Sequence, residues 1–194
     1  MNEIRANALK VAFNIIPLKT AHKTRGIGVY TRELLVELKN LHLEIQEFEK
    51  IEEIKDVDVI HYPWLDLFFI TLRLNKIPSV VTIHDVMPFI FPEQYPLGIK
   101  GRINLFFQTK TLRKVNKIIT ISECSKKDII KNLKIDRSKI TVIPEAADEI
   151  FKPLSDGKLL LIKRKYNLPE RFILYVGDAN FVKNLPFLIE GFKL

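Results

Sequence analysis

The sequence predicts an α/β protein built on a Rossmann-like, doubly wound parallel sheet. Three observations lead there. Short apolar runs of strand length recur along the chain, segments with helical spacing separate them, and the residues able to do chemistry fall where the strands stop. Helical segments of about 10–15 residues between strands call for parallel pairing through right-handed crossovers. The binding crevice of such a sheet lies at the carboxyl ends of its strands.

The elements follow in order. Leu9 to Ile16 (LKVAFNII) is the first strand, and the polar stretch PLKTAHKTRG is the loop after it. From Ile27 to Lys39 the residues Ile27, Tyr30, Leu34, Leu35 and Leu38 share one helix face, with Asn40 as a stop. Leu41, Leu43 and Ile45 alternate as in a half-buried strand. A short acidic helix, Glu49 to Lys55, leads to the strand Val57 to His61, which Pro63 ends. Trp64 to Asn75 is apolar on most sides, which predicts a buried helix. The alternative is an apolar patch of Trp64, Phe68 and Phe69 open to a partner or membrane. Pro78 opens the strand SVVTIH, closed by His84 and Asp85. A loop rich in proline and aromatics (VMPFIFPEQYPLG) comes next, of a length often kept for function. The helix Ile99 to Val115, the strand Lys117 to Ile121, a helix capped by Ser122 and running to Leu133, and the strand Ile140 to Ile143 complete the pattern. Gly26 to Gly28, His61, His84, Ser122 and Pro144-Glu145 all follow strand ends, so they should gather along one edge.

Residues 1–150 thus read as one domain and 151–170 as a connection with a basic helix, Lys158 to Tyr166. Residues 171–194 read as the incomplete start of a second domain: the strand Phe172 to Gly177, then a helix capped by Asn184.

Composition excludes several classes. Hydrophobic residues are 47% and charged residues 28%, which fits a soluble globular protein and argues against disorder. The single cysteine, Cys124, rules out an intrachain disulfide and fits a reducing compartment. Met1 to Arg5 has no basic segment leading into an apolar one, so no signal peptide is expected. The most apolar stretch, Leu65 to Leu74, contains Asp66 and Arg73 and is too short to span a bilayer. The expectation is a cytoplasmic protein, with peripheral contact at the inner face of the membrane as an added option. Net charge is −1 over residues 1–100 and +9 over 101–194, densest from Lys110 to Lys139. Solvated helix faces explain that, as does attraction to a phosphate-bearing substrate or acidic lipid headgroups. No aromatic and basic residues interleave in a nucleic-acid motif, so no nucleic-acid partner is expected.

Gly26-Ile27-Gly28 sits between a strand and a helix. It is either a tight turn or a place where backbone approaches an anion, with Arg25 beside it. His84 could donate to a substrate hydroxyl or phosphate, with Asp85 orienting it or holding a sugar hydroxyl, or could be tied to a local carbonyl. His61 reads as structural. The four histidines show no HxxxH or HExxH spacing, so no metal is expected. GxSxG and GxxxxGK[ST] are absent.

Four blocks in order resemble the retaining GT-B glycosyltransferases of family 4, especially the mannosyltransferase-like ones. They are GIGVYTRELL, VVTIHDVMPFIFPEQYP, IITISECSKKDIIKNL…ITVIPEAADEIFKP and FILYVGDANFVKNLPFLIEGF. The resemblance implies an acceptor-side Rossmann-like domain followed by the first strand and helix of a donor-side domain. It implies that Gly26 and Gly28 face the donor diphosphate, that His84 contacts the transferring sugar and supports catalysis, and that Ser122 and Ser125 line the cleft. Lys183 would bind the donor diphosphate. Arg25, Asp85 and Glu145 would line the cleft or meet the acceptor. The reaction implied is retaining transfer of a hexose, mannose among the options. The donor would be GDP-mannose or a UDP-hexose and the acceptor a saccharide or lipid-linked, with no required metal or cofactor. Two departures stand out. No arginine follows the Val-Gly of the fourth block, where Asp178 stands, and Pro144-Glu145-Ala146-Ala147-Asp148 replaces the usual Pro-Asn-Gly-Val-Asp. The family's EX7E motif and nucleotide-binding face fall outside these residues, so the chain alone is expected to be inactive. The alternative is a non-catalytic relative that binds an acceptor or serves assembly.

Overall fold

The computed structural model describes residues 8–193. Met1 to Arg5, read above for a leader, lie outside the described residues. The chain divides into two compact units, Met1–Glu145 and Ala146–Leu194.

The first unit holds one sheet of six strands: β1 (Lys10–Asn14), β2 (Glu44–Phe48), β3 (Val59–Tyr62), β4 (Ser79–Thr82), β5 (Lys117–Thr120) and β6 (Ile140–Val142). All pairs are parallel, in the order β2-β1-β3-β4-β5-β6. The doubly wound architecture is therefore as the alternating pattern required. Parallel sheets are covered on both faces, and Ala12, Phe13, Ile60 and Val81 in the central strands are fully buried. Leu112, Ile118, Ile129 and Leu133 extend the same core. After β2 pairs on one side of β1, the chain crosses to pair β3 on the other. The crevice expected at such a reversal opens at the carboxyl ends of β1 and β3.

Helices α1 (Ile16–Lys19), α2 (Gly26–Asn40), α3 (Met87–Ile90), α4 (Gly98–Leu112) and α5 (Glu123–Leu133) connect the strands. The expected polar loop after β1 is mostly helical: α1 and a 3-10 turn, Ala21–Thr24, fill it. The acidic helix expected at Glu49 to Lys55 shrinks to a 3-10 turn, Ile51–Glu53. Ser122 caps α5 as its sequence position required, its Oγ accepting from the Ser125 amide at 3.1 Å.

The buried helix expected over Trp64 to Asn75 is not formed. Residues 63–78 cross from β3 to β4 as an irregular loop. Side chains take over the work of a helical ladder. Asp66 Oδ1 accepts from the amides of Phe68 and Phe69. Gln108 of α4 donates to the carbonyls of Asp66 and Phe69 and accepts from the Leu72 amide. Trp64, Leu67 and Leu72 are still buried, so the apolar content serves the core without a helix.

The second unit contains α6 (Asp156–Lys165), a 3-10 turn at Phe181–Lys183 and α7 (Leu185–Phe192). None of its described residues is buried. Phe172 to Gly177 does not form the expected strand. A strand exists by pairing, and no strand occurs among the described residues of this unit. Asn184 stands at the N-cap position of α7 but has a left-handed backbone and makes no side-chain cap, contrary to expectation. Among the described residues no helix is long and apolar enough to cross a membrane.

Candidate functional site

His84 lies two residues past β4, at the carboxyl edge of the sheet. Its main chain and its ring are both held. Ser122 Oγ donates to Ser125 Oγ at 3.1 Å, and Ser125 Oγ donates to the His84 carbonyl at 2.9 Å. The capping serines of α5 thus set where β4 delivers its histidine. The ring Nε2 donates to the Pro63 carbonyl at 3.2 Å, and Tyr30 meets the ring edge to face at 4.7 Å between centroids. Nδ1 stands 3.2 Å from Glu145 Oε1. A carbonyl can only accept, so Nε2 carries a proton. Glu145 therefore presents a carboxylate oxygen to the ring nitrogen that the Pro63 tie leaves over. The sequence left His84 open between a local carbonyl tie and a ligand role, and the structure supplies the tie and a carboxylate together.

A cavity of about 160 Å³ surrounds this group, lined by His22, Ile27, Trp64, Asp66, His84 and Asp85 among others. The His22 ring rests against Trp64 with centroids 4.6 Å apart. An aromatic wall beside carboxylates and an imidazole suits a sugar, whose C–H faces are apolar and whose rim is hydroxylated. Asp85 also starts α3, its Oδ1 accepting from the Met87 amide at 3.0 Å.

The glycines behave differently from one another. Ile27, between them, lines the same cavity as His84. Gly26 opens α2 with nothing within 4 Å of where a Cβ would sit. Gly28 is buried, and a Cβ there would lie 2.2 Å from the His22 carbonyl oxygen. The space at Gly28 belongs to the protein's own turn. Arg25 is the N-cap residue of α2 and is exposed. Lys183 is exposed in the second unit.

His61 lies within β3 and is buried, with Nε2 3.1 Å from Thr82 Oγ1. Thr82 Oγ1 is also 3.3 Å from the Tyr30 hydroxyl. Burial pushes the His61 imidazole down from 6.5 to about 4. Above pH 6.5 neither the folded nor the unfolded ring binds a proton. Below it the unfolded ring takes one up first, so stability falls as pH drops from 6.5 towards 4. The loss expected is up to about 3 kcal/mol. Urea titrations followed by fluorescence of the single tryptophan, Trp64, should show this slope in the native protein and a shallower one in His61→Gln. Equal slopes would remove His61 as the cause.

Sequence reasoning overlooked His22 and Trp64 as cavity residues, and took Tyr30 only for a core position of its helix. Their ring partners lie far away in sequence, so no spacing marked them. A second cavity of about 460 Å³ opens at the ends of β1, β2 and β3, lined by Asn14, Phe48, Tyr62 and Arg73 among others. It is roomier than the first but holds no imidazole. Among the described residues no group of three or more His, Cys, Asp or Glu side chains is gathered to hold a metal ion.

Residues 39–149 match the family described as Glycosyltransferase Family 4. Over 180 residues, 91% of this chain, the sequence is 26% identical to the O-antigen chain mannosyltransferase B of Escherichia coli, of which it spans 45%. The serotype-specific mannosyltransferase WbdA of Escherichia coli is 26% identical over 135 residues, 66% of this chain and 16% of that protein. Among solved structures, a glycosyltransferase from Rickettsia africae ESF-5 aligns with 85% of this chain and 51% of its own, at 16% identity and a TM-score of 0.42. The chain thus covers less than half the length of the mannosyltransferases it matches.

Proposed function

The chain belongs to glycosyltransferase family 4, and from that premise we propose that it supplies the acceptor-side half of a retaining hexosyltransferase. The donor is a nucleotide sugar, GDP-mannose before a UDP-hexose because the similar proteins named above are mannosyltransferases. The acceptor is a saccharide, free or lipid-linked. The observation that carries this reading is the His84 group, an imidazole fixed on both nitrogens at the mouth of an aromatic and acidic cavity.

In the proposed reaction the bond between the anomeric carbon and the diphosphate breaks, the acceptor oxygen forms the new bond on the same face, and the acceptor hydroxyl's proton passes to the departing diphosphate. Negative charge grows on the departing diphosphate while the sugar becomes electron-poor. The amides at the Gly26 end of α2 set partial positive charge beside the first, and the His84 ring contacts the second. Lys183, in the second unit, would bind a donor diphosphate. Trp64 and His22 hold the apolar face of a sugar, with Asp85 accepting from its hydroxyls. Ser122 and Ser125 act by position, through the His84 carbonyl.

The test uses the full-length gene product with a panel of nucleotide sugars. Transfer from one of them is expected, and His84→Ala should lower turnover about 100-fold. Failure of the full-length protein to bind any nucleotide sugar would favour the non-catalytic alternative. An unchanged rate in His84→Ala would reduce that residue to a structural role.

A further inference from the structure

Helix α4 turns four of its six large apolar residues away from the core. Gly101, Gln108 and Leu112 face the core. Ile99, Ile103, Phe106 and Phe107 face outward, at 82%, 52%, 57% and 52% exposure. Residues 99, 103, 106 and 110 follow each other at helical spacing, so they form one outward stripe. Cations continue that stripe: Lys110 lies over the Phe106 ring at 4.4 Å, and Arg113 and Lys114 are exposed beyond it. Lys100 and Arg102 flank the apolar end. Between Asp85 and Glu123 there are six Lys or Arg and one acid, Glu93, which precedes the helix.

The neighbouring loop adds to the surface. Gln108 and Asn104 bind the carbonyls of Phe69 and Phe68, which fixes that loop against α4. Phe69 is itself exposed. Asp66, the acid on that loop, already accepts from two amides with one oxygen.

We infer that the outward face of α4, with Phe69, is a docking surface for an anionic lipid bilayer. Exposed Ile and Phe beside Lys and Arg, with no acid on the helix, match an interfacial helix: rings enter the acyl boundary and cations meet the headgroup phosphates. A protein partner of ordinary surface would present both signs of charge, and α4 has nothing to pair with the positive ones. The densest run of cations in the sequence, Lys110 to Lys139, continues past α4 into α5. The structure ties Lys126 Nζ to the Ile140 carbonyl at 2.8 Å, and Lys139 Nζ to the carbonyls of Arg113 and Val115. Those amines serve the fold, and the surface moves to α4. The inference stands apart from the sugar chemistry and needs no nucleotide-sugar assay.

The experiment is co-sedimentation of the 194-residue chain with two kinds of vesicle, phosphatidylcholine alone and phosphatidylcholine mixed with phosphatidylglycerol. Tight partition onto the anionic vesicles is expected, weakening as salt is raised. The triple variant Lys110→Glu, Arg113→Glu, Lys114→Glu should bind about 100-fold more weakly. Phe106→Ser with Phe107→Ser should bind about tenfold more weakly. Lys127→Glu with Lys131→Glu, on α5, should stay close to the native value. All altered positions are at least partly exposed, and Trp64 fluorescence reports whether the fold is kept. Equal partition onto both vesicle types would overturn the inference. So would an α5 variant losing as much as the α4 triple, which would mean that overall charge alone matters. A chain that dimerises without lipid, and that the α4 variants return to monomer, would assign the face to a second copy instead.

Discussion

Gly28→Ala should destabilise the first unit by about 3 kcal/mol or more, whereas Gly26→Ala should change stability by no more than about 0.5 kcal/mol. The two glycines are one residue apart and look equivalent in the sequence. A methyl group at Gly28 would sit 2.2 Å from the His22 carbonyl oxygen and 2.8 Å from two backbone atoms of Lys23. Backbone cannot rotate aside as a side-chain tip can. The 3-10 turn Ala21–Thr24 is closed by hydrogen bonds from Lys23 to Thr20 and from Arg25 to His22, so it must move as a unit or break. Either outcome pulls His22 off Trp64, and both line the His84 cavity. At Gly26 the methyl meets nothing within 4 Å and the backbone is helical. Urea unfolding read by Trp64 fluorescence measures both variants, and the emission of folded Gly28→Ala should already differ from native. A native unfolding midpoint for Gly28→Ala would refute this account of the turn. In the full-length protein the roles should reverse for the donor: Gly26→Ala keeps the fold but crowds the open approach to α2, raising the donor KM.

These contrasts show what the residue pattern could and could not carry. The parallel sheet was legible because burial of parallel strands on both faces favours apolar runs, as at Val11 to Phe13 and at Val80 to Ile83, which only Thr82 interrupts. The capping of α5 was legible because Ser122 acts on an amide three residues away. Distant partnerships were not. Nothing local to Trp64–Asn75 says whether its backbone groups are satisfied four residues back or by Gln108, 36 residues beyond Leu72. Phe172 to Gly177 has the composition of a strand, but composition does not provide the neighbour that makes one. The edge site lay between these extremes. Topology brought His84, Ser122, Ser125 and Glu145 together, because all follow strands of one parallel sheet. The Tyr30 and Trp64 contacts depended on how helix and loop fold back over that edge.

Gln108→Ala should cost about 3–5 kcal/mol and loosen the loop over residues 66–72. The Gln108 side chain is fully buried and makes three main-chain hydrogen bonds across the gap between α4 and that loop. Nε2 donates its two protons to the carbonyls of Asp66 and Phe69 at 2.7 and 2.8 Å and lies 3.0 Å from Thr71 Oγ1, and Oε1 accepts from the Leu72 amide at 3.1 Å. An amide side chain is matched to this task because it presents donor and acceptor together. Removing it leaves three main-chain groups without that partner, each costing about 1–3 kcal/mol where water cannot reach. Gln108→Glu separates polarity from packing. It keeps the shape and an acceptor for Leu72, but sets a carboxylate against two carbonyl oxygens, and should be at least as damaging as alanine. Tyr62, whose hydroxyl donates to the Arg73 carbonyl, still anchors the far end of the loop, so the damage should be local. Amide hydrogen exchange should therefore speed up at Phe68, Phe69 and Leu72 far more than at β4 or β5. Uniform acceleration would mean that Gln108 supports the whole core instead. Because this loop carries Trp64, Asp66 and Leu67 into the His84 cavity, its loosening also tests whether an ordered wall is needed to hold a sugar there. If the full-length Gln108→Ala protein bound its acceptor as tightly as the native one, the aromatic wall would have no part in recognition.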